Sequence, residues 1–380
     1  MLDFKLTEEQ EQLIAASRRF TKERIIPIAA EADRKSEFPE DVFRAAWEAG
    51  LVNATVPAEY GGIGLGELEN TMITEELGYG CTGIQTSITA NTLAATPLLL
   101  AASEEQKKKY LGMLTAEPLC AAYATSEPDA GSDVAGMKCK FEQHGDDYVL
   151  NGSKAWITNA SRASWFVVFA SSDPASRHKG IAAFIIEKGS PGFRVGKHED
   201  KLGQRASDTC TLSLEDVKVP KAQLLAPAGA GFKLAMETFN QTRPDIGAAA
   251  VGLMRRCLDE CVAYAKERKT FGTAIANHQM IQFMLAEMAI RIEATQLLVR
   301  KAAWALDTKA RSPIVSSCAK AYGADSAMAT AIDAVQIFGG NGYTKEYPVE
   351  KLMRDAKVLQ IYEGTSQIQR LVIAKAVLGA

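Results

Sequence analysis

Tyr148-Val149-Leu150-Asn151-Gly152-Ser153-Lys154-Ala155-Trp156-Ile157-Thr158 is where the period of this chain changes. The stretch reads as a strand, an Asn-Gly turn and a second strand, because alternating apolar residues flank the commonest two-residue hairpin signal. The same character continues through Trp165–Ala170, Ile181–Ile186 and Thr211–Leu214, separated by turns such as Lys188-Gly189-Ser190-Pro191-Gly192. A β unit is therefore expected over about 121–225. Upstream, residues 1–120 carry helical signals. Thr7 caps a first run, and others follow at Glu67–Leu77, Thr86–Leu100 and Glu104–Leu111, with the glycines of Val56–Gly66 interrupting. Downstream, 226–380 reads as long helices over 231–267, 277–308, 313–337 and 365–377. They are broken at Thr270-Phe271-Gly272, Arg311-Ser312-Pro313 and Gly339-Gly340-Asn341-Gly342. Helices of that length must bury their apolar faces on one another, so a bundle is expected. The reading is α+β, with helices, a central antiparallel β domain, then a C-terminal four-helix bundle.

Composition narrows the function. The 380 residues exceed a single hydrophobic core, and 47% of them are hydrophobic, enough to fill two or three. With 43 basic and 46 acidic side chains the net charge is -3, which offers no footprint for nucleic acid. No apolar run approaches the roughly 20 residues of a membrane span, and Met1–Gln10 lacks a basic region followed by an apolar one. A cytoplasmic protein without membrane insertion is expected. Seven scattered cysteines read as free thiols of a reducing compartment, and neither they nor the four histidines form a metal-binding pattern.

Several segments could carry chemistry, each with a plainer reading beside it. Gln360-Ile361-Tyr362-Glu363-Gly364-Thr365-Ser366-Gln367-Ile368-Gln369-Arg370 places one acid at a break between two helical runs, where a carboxylate can face a ligand while the next helix fixes its backbone. It is equally a capped helix start, with Thr365 or Ser366 as N-cap and Glu363 on the surface. Tyr123-Ala124-Thr125-Ser126-Glu127-Pro128-Asp129-Ala130-Gly131-Ser132-Asp133 offers hydroxyls and amides that could wrap an aromatic, phosphate-bearing cofactor, or simply a polar interdomain loop. Trp156 and Thr158, two apart on a strand, share a face and could flank a planar ring or line an ordinary half-buried sheet. Arg268-Lys269-Thr270-Phe271-Gly272 suits a helix C-terminus. Arg243, after Phe239-Asn240-Gln241-Thr242, could equally form a surface ion pair.

Taken together, IYEGTSQIQR, SEPDAGSD, WITN, ERKTFG and the QIFGGNG segment resemble the acyl-CoA dehydrogenase family over essentially the whole chain. GCTGIQT, QKKKYLG and YPVEKLMRDAK are most similar to its medium-chain members. The resemblance implies FAD as cofactor, bound through Tyr123, Ser126, Ser132, Trp156, Thr158, Thr365 and Gln367. Arg268, Phe271, Gln336 and Gly340 would reach the FAD of a neighbouring subunit in a homotetramer built as a dimer of dimers. It implies acyl-CoA contacts from Ser132, Asn240, Arg243, Tyr362 and Gly364. Ser126 replaces the usual Thr but keeps the hydroxyl. Asp129 and Asn240 stand where medium-chain relatives carry Gly and Asp, and a charge at Asp129 would suit a flavin site only if it points outward.

The activity implied is α,β-dehydrogenation within fatty acid β-oxidation. Glu363 removes the pro-R α-proton while the β-hydrogen leaves as hydride to flavin N5, giving a trans-2-enoyl-CoA. Electrons then pass to an electron-transfer flavoprotein. A dry pocket would raise the base above its free pKa of about 4.3. Two helical segments, Glu67–Leu77 and Thr86–Leu100, are expected to line the tail pocket, with the small Ala90 leaving it deep enough for an optimum near C8. The alternatives are a short-chain, branched-chain or cyclic acyl-CoA dehydrogenase, a flavoenzyme of another acyl-CoA reaction, or a noncatalytic helical scaffold.

Overall fold

The computed structural model describes residues 5–310 and 312–379, so Arg311 of the expected break lies outside the described residues. Six α-helices lead, α1 Glu8–Phe20, α2 Ile26–Lys35, α3 Glu40–Glu48, α4 Glu67–Gly80, α5 Thr82–Ala101 and α6 Glu104–Ala116. Thr7 begins α1 as read, accepting from the Gln10 N–H while the Gln10 side chain returns the bond, a reciprocal capping box. Eight strands follow, β1 Cys120–Ala124, β2 Lys140–His144, β3 Asp147–Thr158, β4 Ala163–Ser171, β5 Ile181–Glu187, β6 Phe193–His198, β7 Thr209–Pro220 and β8 Leu224–Ala226.

They form one sheet in the order β6-β7-β3-β2-β4-β5-β8, with β1 alongside β4. The pairing is antiparallel except where β1, and a single bridge from β2, run parallel to β4. The Asn151-Gly152 turn does not form. β3 runs unbroken through both residues, because Asn151 is locked to β7 instead, its amide donating to Asp216 and its carbonyl accepting from the Asp216 N–H. Gly152 takes φ 146° at a bulge against β7, a position where a Cβ would meet Cys139 backbone at 2.7 Å.

The apolar run at Trp165–Ala170 is explained by cover on both faces. Trp165, Val167 and Phe169 pack with Leu98, Leu111 and Leu114 of the first helices, whereas Phe166, Val168 and Ala170 meet Leu150, Leu212 and Val217 across the fold of the sheet.

Beyond the sheet come α7 Gly231–Glu267, α8 Gln279–Asp307, α9 Pro313–Phe338, α10 Val349–Leu359 and α11 Ser366–Leu378. The C-terminal helical region thus has three long helices and two short ones, α10 being additional to the four runs expected from sequence. α10 was hidden in sequence because its eleven residues carry five charges and sit among Gly, Pro and Thr. α4 joins the bundle by lying on α7, where Gly252 permits the approach: a Cβ there would fall 2.1 Å from the Glu75 carbonyl oxygen. The first turn of α4 has no side-chain cap of its own. Asp307, at the end of α8, accepts from the Glu67 and Leu68 N–H groups at 2.7 and 2.9 Å, tying the two helical regions together.

Candidate active site

Glu363 sits in the turn between α10 and α11, with φ 52°, and Gly364 follows at φ 87°. Two consecutive left-handed residues are costly for a glutamate and persist only when surroundings fix them. Three groups do so. Gln369 Nε2 donates to the Glu363 and Gly364 carbonyls at 3.1 and 2.9 Å. Lys320 Nζ, from α9, reaches the Gly364 carbonyl at 2.7 Å. Asp325 accepts from Gln360, Ser366 and Arg370, clasping both ends of the turn. Thr365 is the N-cap of α11, accepting from the Ile368 N–H at 3.1 Å. The capped-helix reading holds for Thr365 but not for a surface Glu363: the cap starts the helix, and the turn before it delivers the acid to the cavity.

The Glu363 carboxylate accepts from Thr242 Oγ1 at 2.6 Å and borders a cavity of about 430 Å³. Burial pushes its carboxyl above the usual range, against the downward pull of the Thr242 bond and of Arg243 and Lys320. Lys320 is fully buried, and burial lowers its ammonium to about 8 although Glu363 favours the charged form. Arg243 is also buried, donating to Asn240 Oδ1 at 2.6 Å and to Ser317 Oγ at 3.4 Å, and burial lowers its pKa. Its Nε is buried without a partner. The surface ion pair is thus ruled out for Arg243, and Asn240 holds the guanidinium as a neutral acceptor. The Glu363 N–H makes no hydrogen bond among the described residues, so the turn presents both a base and a free donor.

The opposite wall comes from the β unit. Trp156 takes φ 63° where β3 bulges against β7 between Lys154 and Ile157, and the bulge turns its ring outward, 61% exposed at the cavity mouth. Thr158 lines the same cavity, as do Tyr123, Ser126 and Ser132. Tyr123 Oη and Thr125 Oγ1 are buried there without hydrogen-bond partners. The loop carrying Ser126 is stapled by a pair the sequence reading missed: Glu127 accepts from Lys154 Nζ at 2.7 Å and from the Lys138 and Cys139 N–H groups at 2.6 and 3.0 Å, and Lys154 is wholly buried. Asp129 points outward, 2.9 Å from Lys138 Nζ.

Of the other sequence candidates, Tyr362, Gly364 and Thr365 line the cavity. Gln367 faces outward on α11, and Asn240 reaches the site only through Arg243. Arg268, Phe271, Gln336 and Gly340 lie away from this cavity and are exposed, Phe271 at 98%. Thr242 and Lys320 were not singled out in the sequence. The only available signal for Lys320 was that it is the sole basic residue of α9, a run otherwise made largely of small and apolar side chains.

Residues 7–117, 122–217 and 229–378 match the acyl-CoA dehydrogenase N-terminal, middle and C-terminal domains. The Caenorhabditis briggsae protein named "Probable medium-chain specific acyl-CoA dehydrogenase 2, mitochondrial" is 49% identical over 385 residues, covering 100% of this chain and 92% of that protein. A chain of the Acidaminococcus fermentans structure described as an electron transferring flavoprotein superimposes with TM-score 0.97 at 42% identity, with 100% of both chains covered. Butyryl-CoA dehydrogenase from Megasphaera elsdenii superimposes with TM-score 0.96 at 37% identity, covering 99% of this chain and 100% of that one.

Proposed function

This chain belongs to the acyl-CoA dehydrogenase family and is an FAD-dependent oxidoreductase, and we propose that it oxidises medium-chain acyl-CoA thioesters with Glu363 as the base. The observation that carries this reading is the half-buried Glu363 carboxylate, held by Thr242 beside the cavity with its own N–H free among the described residues. Bound FAD supplies the acceptor for the β-hydride, which no side chain of the chain could be. The residues fit that cofactor: the unpartnered Tyr123 and Thr125 hydroxyls, Ser126, Trp156 and Thr158 offer polar atoms and an aromatic face to a planar ring. Asp129 brings no charge to it, because it faces Lys138 outside.

Glu363 takes the α-proton, and its raised pKa brings it nearer to the weak acid it must deprotonate. The Glu363 N–H donates to the thioester carbonyl, strengthening as negative charge moves onto oxygen. Arg243, buried beside Glu363, favours the ionised carboxylate against the opposing effect of burial, and contacts the pantetheine arm. Ser132, Tyr362 and Gly364 border the acyl group. Ala90 leaves the tail end open, which supports a C6–C10 preference, whereas the butyryl-CoA enzyme among the structural relatives marks the short-chain alternative.

A homotetramer built as a dimer of dimers covers what the single chain leaves bare. Arg268, Phe271, Gln336 and Gly340 would complete the FAD site of a second copy. Along α8, Phe283, Ile290, Leu297 and Trp304 recur every seventh residue at 66, 57, 52 and 54% exposure, an apolar stripe of the kind helices bury on association. An electron-transfer flavoprotein would be the electron-accepting partner in this reading. The compartment is reducing and cytoplasmic, in keeping with seven free cysteines, six of them buried. No helix among the described residues is long and apolar enough to cross a membrane.

Anaerobic bleaching of the flavin across straight, branched and cyclic acyl-CoAs tests the proposal. Fastest bleaching is expected with straight C6–C10 chains. A maximum at butyryl-CoA, or bleaching confined to branched or cyclic acyl groups, overturns the chain-length assignment, and no bleaching by any thioester overturns the reaction.

A further inference from the structure

Ala90, Leu93, Met236, Phe239 and Ile246 give the cavity an apolar lining, and the Asp245 carboxyl borders it beside them. Asp245 is 6% exposed. It follows Thr242 by three residues on α7 and shares its face, so it lies about 4.5 Å further along the helix axis than the hydroxyl that holds Glu363. Its oxygens accept from Asn70 Nδ2 at 2.9 and 3.1 Å and from Thr74 Oγ1 at 3.5 Å. A carboxyl keeps lone-pair acceptor sites on its carbonyl oxygen even in the protonated form that its raised pKa favours, so one amide nitrogen and one stretched hydroxyl leave capacity open. No basic side chain among the described residues pairs with it; the arginines at this helix contact, Arg255 and Arg300, go to Glu75 and Glu76 instead.

The other titratable groups acting on this position are acids. Burial and the nearby Glu363 push Asp245 up to about 8, and Asp245 in turn helps to hold Glu67 well above its ordinary value, after burial itself. Glu67 Oε1 is buried without a partner. A hydrocarbon tail gains nothing from such a wall, since it offers no partner to the under-bonded carboxyl beside it. Bridging α4 to α7 would require no more than the Asn70 amide, and that requirement does not explain a carboxyl bordering the cavity.

Resting on the dehydrogenase reading above, we infer that Asp245 is a specificity-determining residue for acyl thioesters that carry a hydrogen-bond donor, a hydroxyl or a protonated amine, a few bonds beyond the β-carbon. The donor fills the open acceptor sites of Asp245, while the α- and β-carbons remain at Glu363. A protonated amine is the stronger match because it also relieves the mutual repulsion of the acids around it.

The test compares holoenzyme kcat/KM for hexanoyl-CoA, 6-hydroxyhexanoyl-CoA and 6-aminohexanoyl-CoA in wild type, Asp245→Val and Asp245→Asn, with FAD absorbance recorded for each sample. Wild type is expected to favour the substituted chains over hexanoyl-CoA by at least about tenfold. Asp245→Val should invert that ratio, and Asp245→Asn should keep the hydroxyl preference while losing the amine preference. Asp245→Asn preserves shape and keeps the experiment decisive if the valine variant does not fold. Ratios unchanged in the variants, or a wild-type preference for unsubstituted hexanoyl-CoA, overturn the role of Asp245 while leaving the dehydrogenase reading intact. Absence of bleaching with all three thioesters overturns both.

Discussion

Glu363 and Phe271 share an uncommon backbone, φ 52° in each case, and both lie beside a glycine of positive φ. At Glu363 the surrounding chain finishes the job: Lys320, Gln369 and Thr242 bond the turn or its carboxylate, and the side chain borders a cavity. At Phe271 the residue caps a two-residue hairpin, Lys269–Thr270 against Thr273–Ala274, and its ring is 98% exposed, with an edge contact to His278. A strained position that its own chain over-determines is a place where chemistry is set up internally. A strained position that projects an aromatic into solvent is one whose partner comes from outside. In the proposed assembly the proton-transfer machinery would lie within a single subunit, and cofactor retention would depend on its neighbour.

The sharpest way to break this comparison is Glu363→Gln. The variant keeps the size of the side chain but removes the base, so flavin reduction by acyl-CoA should fall by about 10²–10⁴-fold while FAD content and acyl-CoA binding persist. Stopped-flow bleaching at the wild-type rate would remove Glu363 from its role.

Lys320→Met probes the internal support. Loss of the bond to the Gly364 carbonyl should lower kcat by about tenfold, the order of a misplaced reacting group. The sign of the pH effect is fixed separately. Lys320 pulls the Glu363 pKa down, so removing it raises that pKa further, and the acid limb of the kcat/KM profile moves to higher pH. A lower rate with an unmoved limb would mean that Lys320 acts on the turn alone.

Phe271→Ala addresses the external partner. FAD should dissociate about tenfold more readily and the oligomer should loosen with it, whereas the fully loaded variant bleaches at the wild-type rate. Normal retention of FAD by a monomer would end the argument from exposure. The smallest effect is expected from Asp129→Gly, which removes an exposed ion pair with Lys138 and should leave both flavin content and thermal midpoint unchanged. A change in flavin content would place Asp129 closer to the cofactor than its outward direction allows.

Local sequence was a good guide to the helices but a poor one to the turn at Asn151-Gly152. An Asn-Gly pair signals a hairpin only when the flanking segments have no better partner, and here Asp216 across the sheet offers Asn151 two hydrogen bonds. Glu363, Tyr362 and Thr365 were legible because they fall in one contiguous segment. Thr242, Lys320 and Asp245 were not, since each is an ordinary polar residue on a helix until another helix is laid against it. The buried Glu127–Lys154 pair was equally invisible, its members 27 residues apart with a strand and a loop between them.

By itself, the sequence determined the order of helical, β and helical segments and narrowed the cap that starts α11 to Thr365 or Ser366, because these follow from periodicity and from short contiguous motifs, whereas the residues expected to meet a flavin and a thioester came from the family resemblance. The tertiary structure alone decided that Glu363 faces inward, that Arg243 is buried against Asn240 rather than paired on the surface, and that Asp245 borders the cavity. The physical reason is that burial and charge environment are sums over groups distant in the chain. A carboxylate's proton affinity is set by the neighbours that folding brings to it, and no local pattern records which those will be.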